Sequence, residues 1–394
     1  MFLTQICPYP PTNGGAIKTY NILKYLGSRH EVSLLTFLRS EAEISLLQHL
    51  KPFCHEIDFC LIKRSALINL QAAVKSLLSE QPFMILRDLH PEMCFKVNEA
   101  VKRQPDLLYV DHLQMFQYVP HPRVCPLVLD NHNVEWRIVE RFACTDVSLP
   151  VRAFASVEWR RLRAYEINAC LEADLVFTVT DKDRNVLISN GVHEHKIVSL
   201  PIGVHAADIA PVQLGISDKK VTTFGTMSWP PNVDSVLYFA RLIHPLVIRR
   251  MPDSKFLIIG KNPPKSIKSL SKNDGRIEVH GYAEDLRSAV QGTAAFVVPL
   301  RIGSGMRVKI LDAMAMGLPV VTTSVGCEGI DLEPGKHALV ADDPHEFADA
   351  VVYLLDCYKA RVCLATAGRS LVEQCYSWRP ILERLEQALL SIQC

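Results

Sequence analysis

Short apolar runs alternate with stretches of helical period along almost the whole chain. Before residue 203 the runs are Phe2–Cys7, Val32–Phe37, Leu107–Val110, Leu127–Asp130, Leu175–Val179 and Ile197–Leu200. After it they are Val221–Phe224, Phe256–Ile259, Ile277–Val279, Ala295–Val298, Val320–Thr322 and Leu339–Val340. Such alternation implies parallel sheets covered by helices, an α/β fold. Each set begins with a strand and a glycine-containing loop (Gly14-Gly15, then Gly225), which fits two Rossmann-like domains facing across a cleft better than one oversized sheet. The length of 394 residues also favours two domains over one core. Pro, Gly and polar residues replace the periodic pattern over 201–218. The predicted domains are therefore 1–203 and 204–377, with a last helix over 378–394.

Charge and cysteine usage narrow the class. Lys plus Arg number 43 against 42 Asp plus Glu, a net charge of +1, so nothing points to a nucleic-acid partner. Twelve cysteines are scattered singly with no C-x-x-C pair, which predicts reduced thiols in a cytoplasmic protein. Phe2–Cys7 is too short for a leader and is followed at once by prolines. No apolar run approaches the roughly 18 residues of a bilayer span. One stretch has surface character: Leu67, Leu70, Ala73, Val74, Leu77 and Leu78 recur at helical spacing near Lys63, Arg64 and Lys75. A core helix is the first reading of that stripe, and peripheral docking at the inner membrane face the second.

The chemistry concentrates at predicted strand ends. Pro299 to Val321 reads P-L-R-I-G-S-G-M-R-V-K-I-L-D-A-M-A-M-G-L-P-V-V. Gly303, Ser304, Gly305 and Met306 form a turn whose backbone amides can approach an anion closely. The helix beginning near Arg307 directs its positive end there, and Arg307 and Lys309 add charge. Asp312 follows, and Gly317-Leu318-Pro319 closes the helix. The competing reading is an ordinary turn.

Gly14 and Gly15 precede a predicted helix over 16–26 and allow close approach of an anion or sugar; a purely structural turn is the alternative. The strand ending at Asp130 runs into Asn131-His132-Asn133-Val134-Glu135, which makes His132 a candidate for substrate contact, with His112 of Asp111-His112 second. Asp181-Lys182-Asp183 has a metal-holding D-x-D form, but its place at a helix start favours capping. Gly225-Thr226, Gly260-Lys261 and Gly281-Tyr282 close three strands and are placed to enclose a base and ribose.

These residues resemble glycosyltransferase family 4, retaining enzymes with the two-domain GT-B fold. F-G-T-M-S-W-P-P-N-V-D, the Pro299–Val321 segment and Ala341-Asp342-Asp343-Pro344 look like an exopolysaccharide-associated bacterial subgroup. The resemblance implies transfer of a sugar from a UDP- or GDP-sugar to a saccharide or lipid-linked acceptor, without metal or cofactor and with retained anomeric configuration. It makes 1–203 the acceptor-side domain, returns the last helix to it, and makes 204–377 the donor domain. His132 matches the family's histidine near the anomeric centre. Of the family's two glutamates on the donor loop and helix, the second falls on Asp312 and the first on Ser304. The family's Arg and Lys after the first strand of the second domain are absent, Met227 and Asn232 standing in that loop, so Arg307 and Lys309 are expected to clamp the diphosphate. Both can reach it only if Arg307 still belongs to the loop. A sugar-nucleotide epimerase, a phosphorylase and a non-catalytic sugar-nucleotide-binding partner protein are the alternatives.

Overall fold

The computed structural model describes residues 1–144, 148–227, 229–302 and 305–392. It divides into two units, Met1–Ile202 with Leu382 onward, and Gly203–Ile381.

The first unit holds seven parallel strands: β1 (Phe2–Thr4), β2 (Ser33–Leu38), β3 (Glu56–Leu61), β4 (Leu108–Asp111), β5 (Leu127–Asn131), β6 (Leu175–Thr178) and β7 (Ile197–Ser199), in the order β3-β2-β1-β4-β5-β6-β7. The central strands are buried on both faces, so Leu3, Val110, Leu129 and Val176 are wholly enclosed. Each such side chain contributes about 1.5–3 kcal/mol of burial. β3 was not among the expected strands. Its sequence E-I-D-F-C-L buries only Cys60 fully, which an edge strand tolerates and an apolar-run criterion misses. β1 also ends earlier than expected, at Thr4, whose hydroxyl turns to Asp111.

The second unit holds β8 (Lys220–Phe224), β9 (Lys255–Ile259), β10 (Ile277–Gly281), β11 (Thr293–Val298), β12 (Val320–Thr322) and β13 (Leu339–Val340), in the order β10-β9-β8-β11-β12-β13. Strand order reverses between β1 and β4 in the first sheet and between β8 and β11 in the second. In open parallel sheets, ligands collect at the carboxyl ends beside such reversals.

Two helix starts shape those ends. The helix Gly14–Gly27 includes both glycines rather than following them, and Asn13 caps it, its Oδ1 accepting from the Ala16 amide at 3.0 Å. The helix Val308–Ala315 begins one residue after Arg307, whose backbone (φ −93°, ψ 85°) is not helical. Gly317 at φ +70° ends that helix, a conformation that favours glycine. At Asp181–Ser189 the cap is Thr180, which accepts from the Asp183 amide at 3.0 Å; Asp181 and Asp183 occupy the first turn.

The core reading of the 67–78 stripe is overturned. In the helix Ala66–Leu78 only Ala72 and Ser76 are buried, while Leu67, Leu70 and Leu77 are about 60% exposed and Leu78 is 84% exposed. Periodicity shows that a helix has an apolar face, not what covers it. Among the described residues no helix is long and apolar enough to cross a membrane. The last helix, Trp378–Ser391, opens with Trp378 packed under Gly203, where a methyl group would lie 2.8 Å from the indole. Farther along, Glu386 accepts from the Tyr25 hydroxyl at 2.7 Å.

Candidate active site

In the first unit the ends of β1, β4 and β5 meet the start of Gly14–Gly27. Asp111, wholly buried, is the hub. Its Oδ1 lies 2.8 Å from His132 Nε2 and its Oδ2 lies 2.9 Å from His112 Nδ1. Oδ2 also accepts from the hydroxyls of Thr4 at 2.6 Å and Thr19 at 3.0 Å. The two imidazoles stack with centroids 3.9 Å apart. Beside them Asp130 accepts from Lys18 Nζ at 2.5 Å and from the Tyr109 hydroxyl at 2.7 Å, with the Lys18 and Asp130 side chains fully enclosed. A buried ion pair of this kind is costly to break because the surviving charge stays desolvated.

The electrostatics divide the histidines. Burial opposes the charge on Asp111, but the two imidazoles outweigh it and hold the carboxyl well below its ordinary range. Burial also opposes a proton on His112, yet the Asp111 carboxylate, aided by Asp130 and Glu135, raises its pKa. Burial and then the neighbouring His112 charge lower that of His132. Asn131, next to His132, donates to Glu166 at 2.6 Å, and burial pushes Glu166 up to about 8.

In the second unit the glycine-ended strands are stitched together. The Gly225 amide donates to Ile259 at 3.0 Å and the Gly260 amide to Gly281 at 2.5 Å. A methyl group on Gly260 would lie 1.9 Å from the Gly225 oxygen, so only glycine fits there. Asn232 spans the mouth of this loop, donating to the Thr226 oxygen at 3.0 Å and accepting from Lys309 Nζ at 2.8 Å. Arg307 Nη1 donates to the Gly305 oxygen at 2.6 Å, and Gly305 sits at φ +74°. Burial and then the Arg307 charge bring the Lys309 pKa down to about 7; burial alone brings Asp312, one turn on, up to about 7. The Lys261 ammonium stands 4.1 Å from the centroid of the exposed Tyr282 ring.

The structure thus gathers Gly15 and His132 in the first unit, with Gly14 adjoining, and Gly225, Thr226, Gly305, Arg307 and Lys309 in the second. Met306 packs on the core below its loop, and Lys261 with Tyr282 forms a separate pair. Gly303 and Ser304 lie outside the described residues. Sequence reasoning missed Lys18, Thr19 and Tyr109. Lys18 had a signal: with Ile22 and Leu26 it forms a four-residue spacing that places it on the buried helix face.

Among the described residues, two side-chain groups bring three ligand-type atoms within 4.8 Å, Asp111-His112-His132 and Cys60-His90-Glu92. In the first, the nitrogens nearest Asp111 are engaged in hydrogen bonds to it; in the second, the Lys96 ammonium 3.3 Å from Glu92 opposes a cation. A cavity of about 420 Å³ in the first unit opens at the other end of the sheet, beside Met1, Val32 and Leu107. That is the amino-terminal side of the strands, away from this chemistry.

Known structures share this architecture along nearly the whole chain. Anabaena HepE in complex with UDP and glucose aligns at a TM-score of 0.68 and 15% identity, covering 99% of this chain and 98% of that one. Sucrose-phosphate synthase from Thermosynechococcus elongatus aligns at 0.73 and 16%, with the same coverage. The fold is GT-B. Within the second unit, residues 218–357 match the family model of glycosyl transferases group 1. A Klebsiella pneumoniae relative, an uncharacterized 44.6 kDa protein in the cps region, is 23% identical over 367 residues, 88% of each chain. A Corynebacterium glutamicum GDP-mannose-dependent mannosyltransferase acting on a monoacylated phosphatidylinositol monomannoside is 28% identical over 162 residues, 37% of this chain and 42% of that one.

Proposed function

We propose that the protein is a retaining, metal-independent hexosyltransferase that moves a sugar from a UDP- or GDP-sugar to a hydroxyl of a saccharide or lipid-linked acceptor in polysaccharide synthesis. The observation that carries this reading is Lys309. It is a desolvated cation on the first turn of a helix, beside Arg307, and no carboxylate pairs with it among the described residues. A half-buried amine beside a guanidinium and without a carboxylate partner is costly to charge unless a ligand supplies the counter-ion, and a diphosphate does.

Breaking the bond between the anomeric carbon and phosphate puts negative charge on the leaving diphosphate. Arg307, Lys309, the loop amides and the helix start stabilise that charge from fixed positions. A leaving phosphate oxygen accepts the proton of the acceptor hydroxyl as it attacks the same face, and His132 orients the sugar. Asp312 accepts from ribose hydroxyls. The UDP and glucose held by HepE and the cps-region setting of the Klebsiella relative support the donor class and the pathway class. The exposed leucines of Ala66–Leu78, flanked by Lys63 and Lys75, support peripheral contact with an anionic membrane face, where a lipid-linked acceptor would lie.

The test is a panel of UDP- and GDP-sugars followed for nucleoside diphosphate release, with and without saccharide and lipid-linked acceptors, in EDTA. Acceptor-dependent release with an α-linked product from an α-linked donor is expected. Conversion of the donor sugar without nucleotide release identifies an epimerase, and silence across the panel overturns the transferase reading.

A further inference from the structure

His112 holds an unusual position that the proposed mechanism does not use. Its backbone sits at φ +76°, sparsely populated for a residue with a side chain, and its amide is tied to the Asp130 oxygen at 3.1 Å. That conformation turns the ring back over the strand end, onto Asp111 and against His132. A methyl group placed on Gly15 would lie 3.4 Å from His112 Nε2, 3.5 Å from His132 Nδ1 and 3.5 Å from Asn13 Oδ1. Neither of those ring nitrogens has a hydrogen-bond partner among the described residues, and the His132 side chain is only 5% exposed. Two free nitrogens therefore converge on the space that the missing side chain of Gly15 leaves open.

We propose that His112 touches substrate beside His132, the pair gripping one sugar hydroxyl over Gly15 with His112 as donor and His132 as acceptor. The inference rests on the transferase reading above. Asp111 fixes the tautomers: facing a carboxylate, His132 Nε2 and His112 Nδ1 each carry a proton, so His132 Nδ1 offers a lone pair. His112 Nε2 becomes a donor when its ring is charged. The surroundings favour that charge on His112 and disfavour it on His132. The charged and titratable groups around His112 are Asp111 on its own strand, Asp130 and His132 at the end of β5, and Glu135 beyond it. Lys18, on the packed helix, neutralises Asp130. One donor and one acceptor aimed at one point match a hydroxyl, which both accepts and gives a proton, better than a phosphate oxygen, which only accepts.

The discriminating variant is His112→Asn. Asparagine keeps an amide of similar reach to face Asp111, yet places nothing where Nε2 was. With whichever nucleotide sugar the wild type turns over, His112→Asn is expected to lower kcat/KM about 10- to 100-fold while leaving the Kd for UDP or GDP unchanged. Donors deoxygenated at single positions should reveal one hydroxyl whose removal costs the wild type the same factor and the variant nothing. In the wild type kcat/KM should fall as pH rises through the His112 pKa. Activity of His112→Asn within twofold of wild type would reduce His112 to a brace for Asp111. A wild-type deoxy series without a discriminated hydroxyl would refute the grip even if the variant fails to fold. A wild type silent with every donor would overturn the transferase reading itself.

Discussion

Lys309 should take up a proton when the donor binds. In the free protein its pKa is brought down to about 7, so at pH 8 only about 9% of it is charged. A diphosphate at the helix start restores the ammonium, so binding at pH 8 draws in about 0.9 proton. Affinity bears the cost of that protonation: from pH 8 to pH 9 the Kd should rise about ninefold, near 1.36 kcal/mol per pH unit. Asp312, brought up to about 7, is already largely ionised at pH 8 and adds little there. The measurement is calorimetry with a nucleotide sugar, whose diphosphate does not titrate in this range, in buffers of different ionisation enthalpy. Lys309→Met should abolish the uptake and bind with a flat pH profile. A wild-type Kd constant from pH 8 to 9 with no proton uptake would refute the reasoning.

Arg307→Ala should reduce transfer more than about a hundredfold, the scale of removing one donor to developing charge, with the loss in kcat rather than in folding by circular dichroism. Asp111→Ala should lose about 3–5 kcal/mol in urea melts at pH 7, because two buried histidines lose their carboxylate partner, while the Thr4 and Thr19 hydroxyls keep the backbone acceptors Ile6 and Gly15. Its folded pKa is depressed, so that stabilisation is full above the ordinary carboxylate range near pH 4 and disappears as pH falls through the lower folded value; melts that differ equally at pH 7 and pH 2 would contradict this. Replacing Leu67, Leu70 and Leu77 together by Ser should release the protein from vesicles containing anionic lipid in a flotation assay. Stability should change by less than about 0.5 kcal/mol per site, since these side chains are already in water.

Much of the fold was legible because buried parallel strands are written as short apolar runs. The six strands of the second sheet were found in that way, and β3 escaped because an edge strand need not be apolar. The same code was silent on coverage: the Leu67–Leu78 stripe has the period of a core helix and faces solvent. At the site, a glycine-rich turn with cations can be read directly from the chain. The convergence of His112, His132 and Gly15 cannot, because they come from two strand ends and a helix start brought together by strand order rather than by spacing. Asp111 looked like a neighbour of His112; only the structure makes it the anchor of both rings.

The contact between Lys309 and Asn232 bridges two segments 77 residues apart in the chain. A positive charge delivered to that spot by either backbone occupies nearly the same volume. Moving the cation from the helix to the strand loop would therefore leave the chemistry in place, and a signature pattern keyed to one position would pass over the other arrangement. Exchanging the two residues, Asn232→Lys with Lys309→Asn, should recover donor affinity that Lys309→Asn alone forfeits.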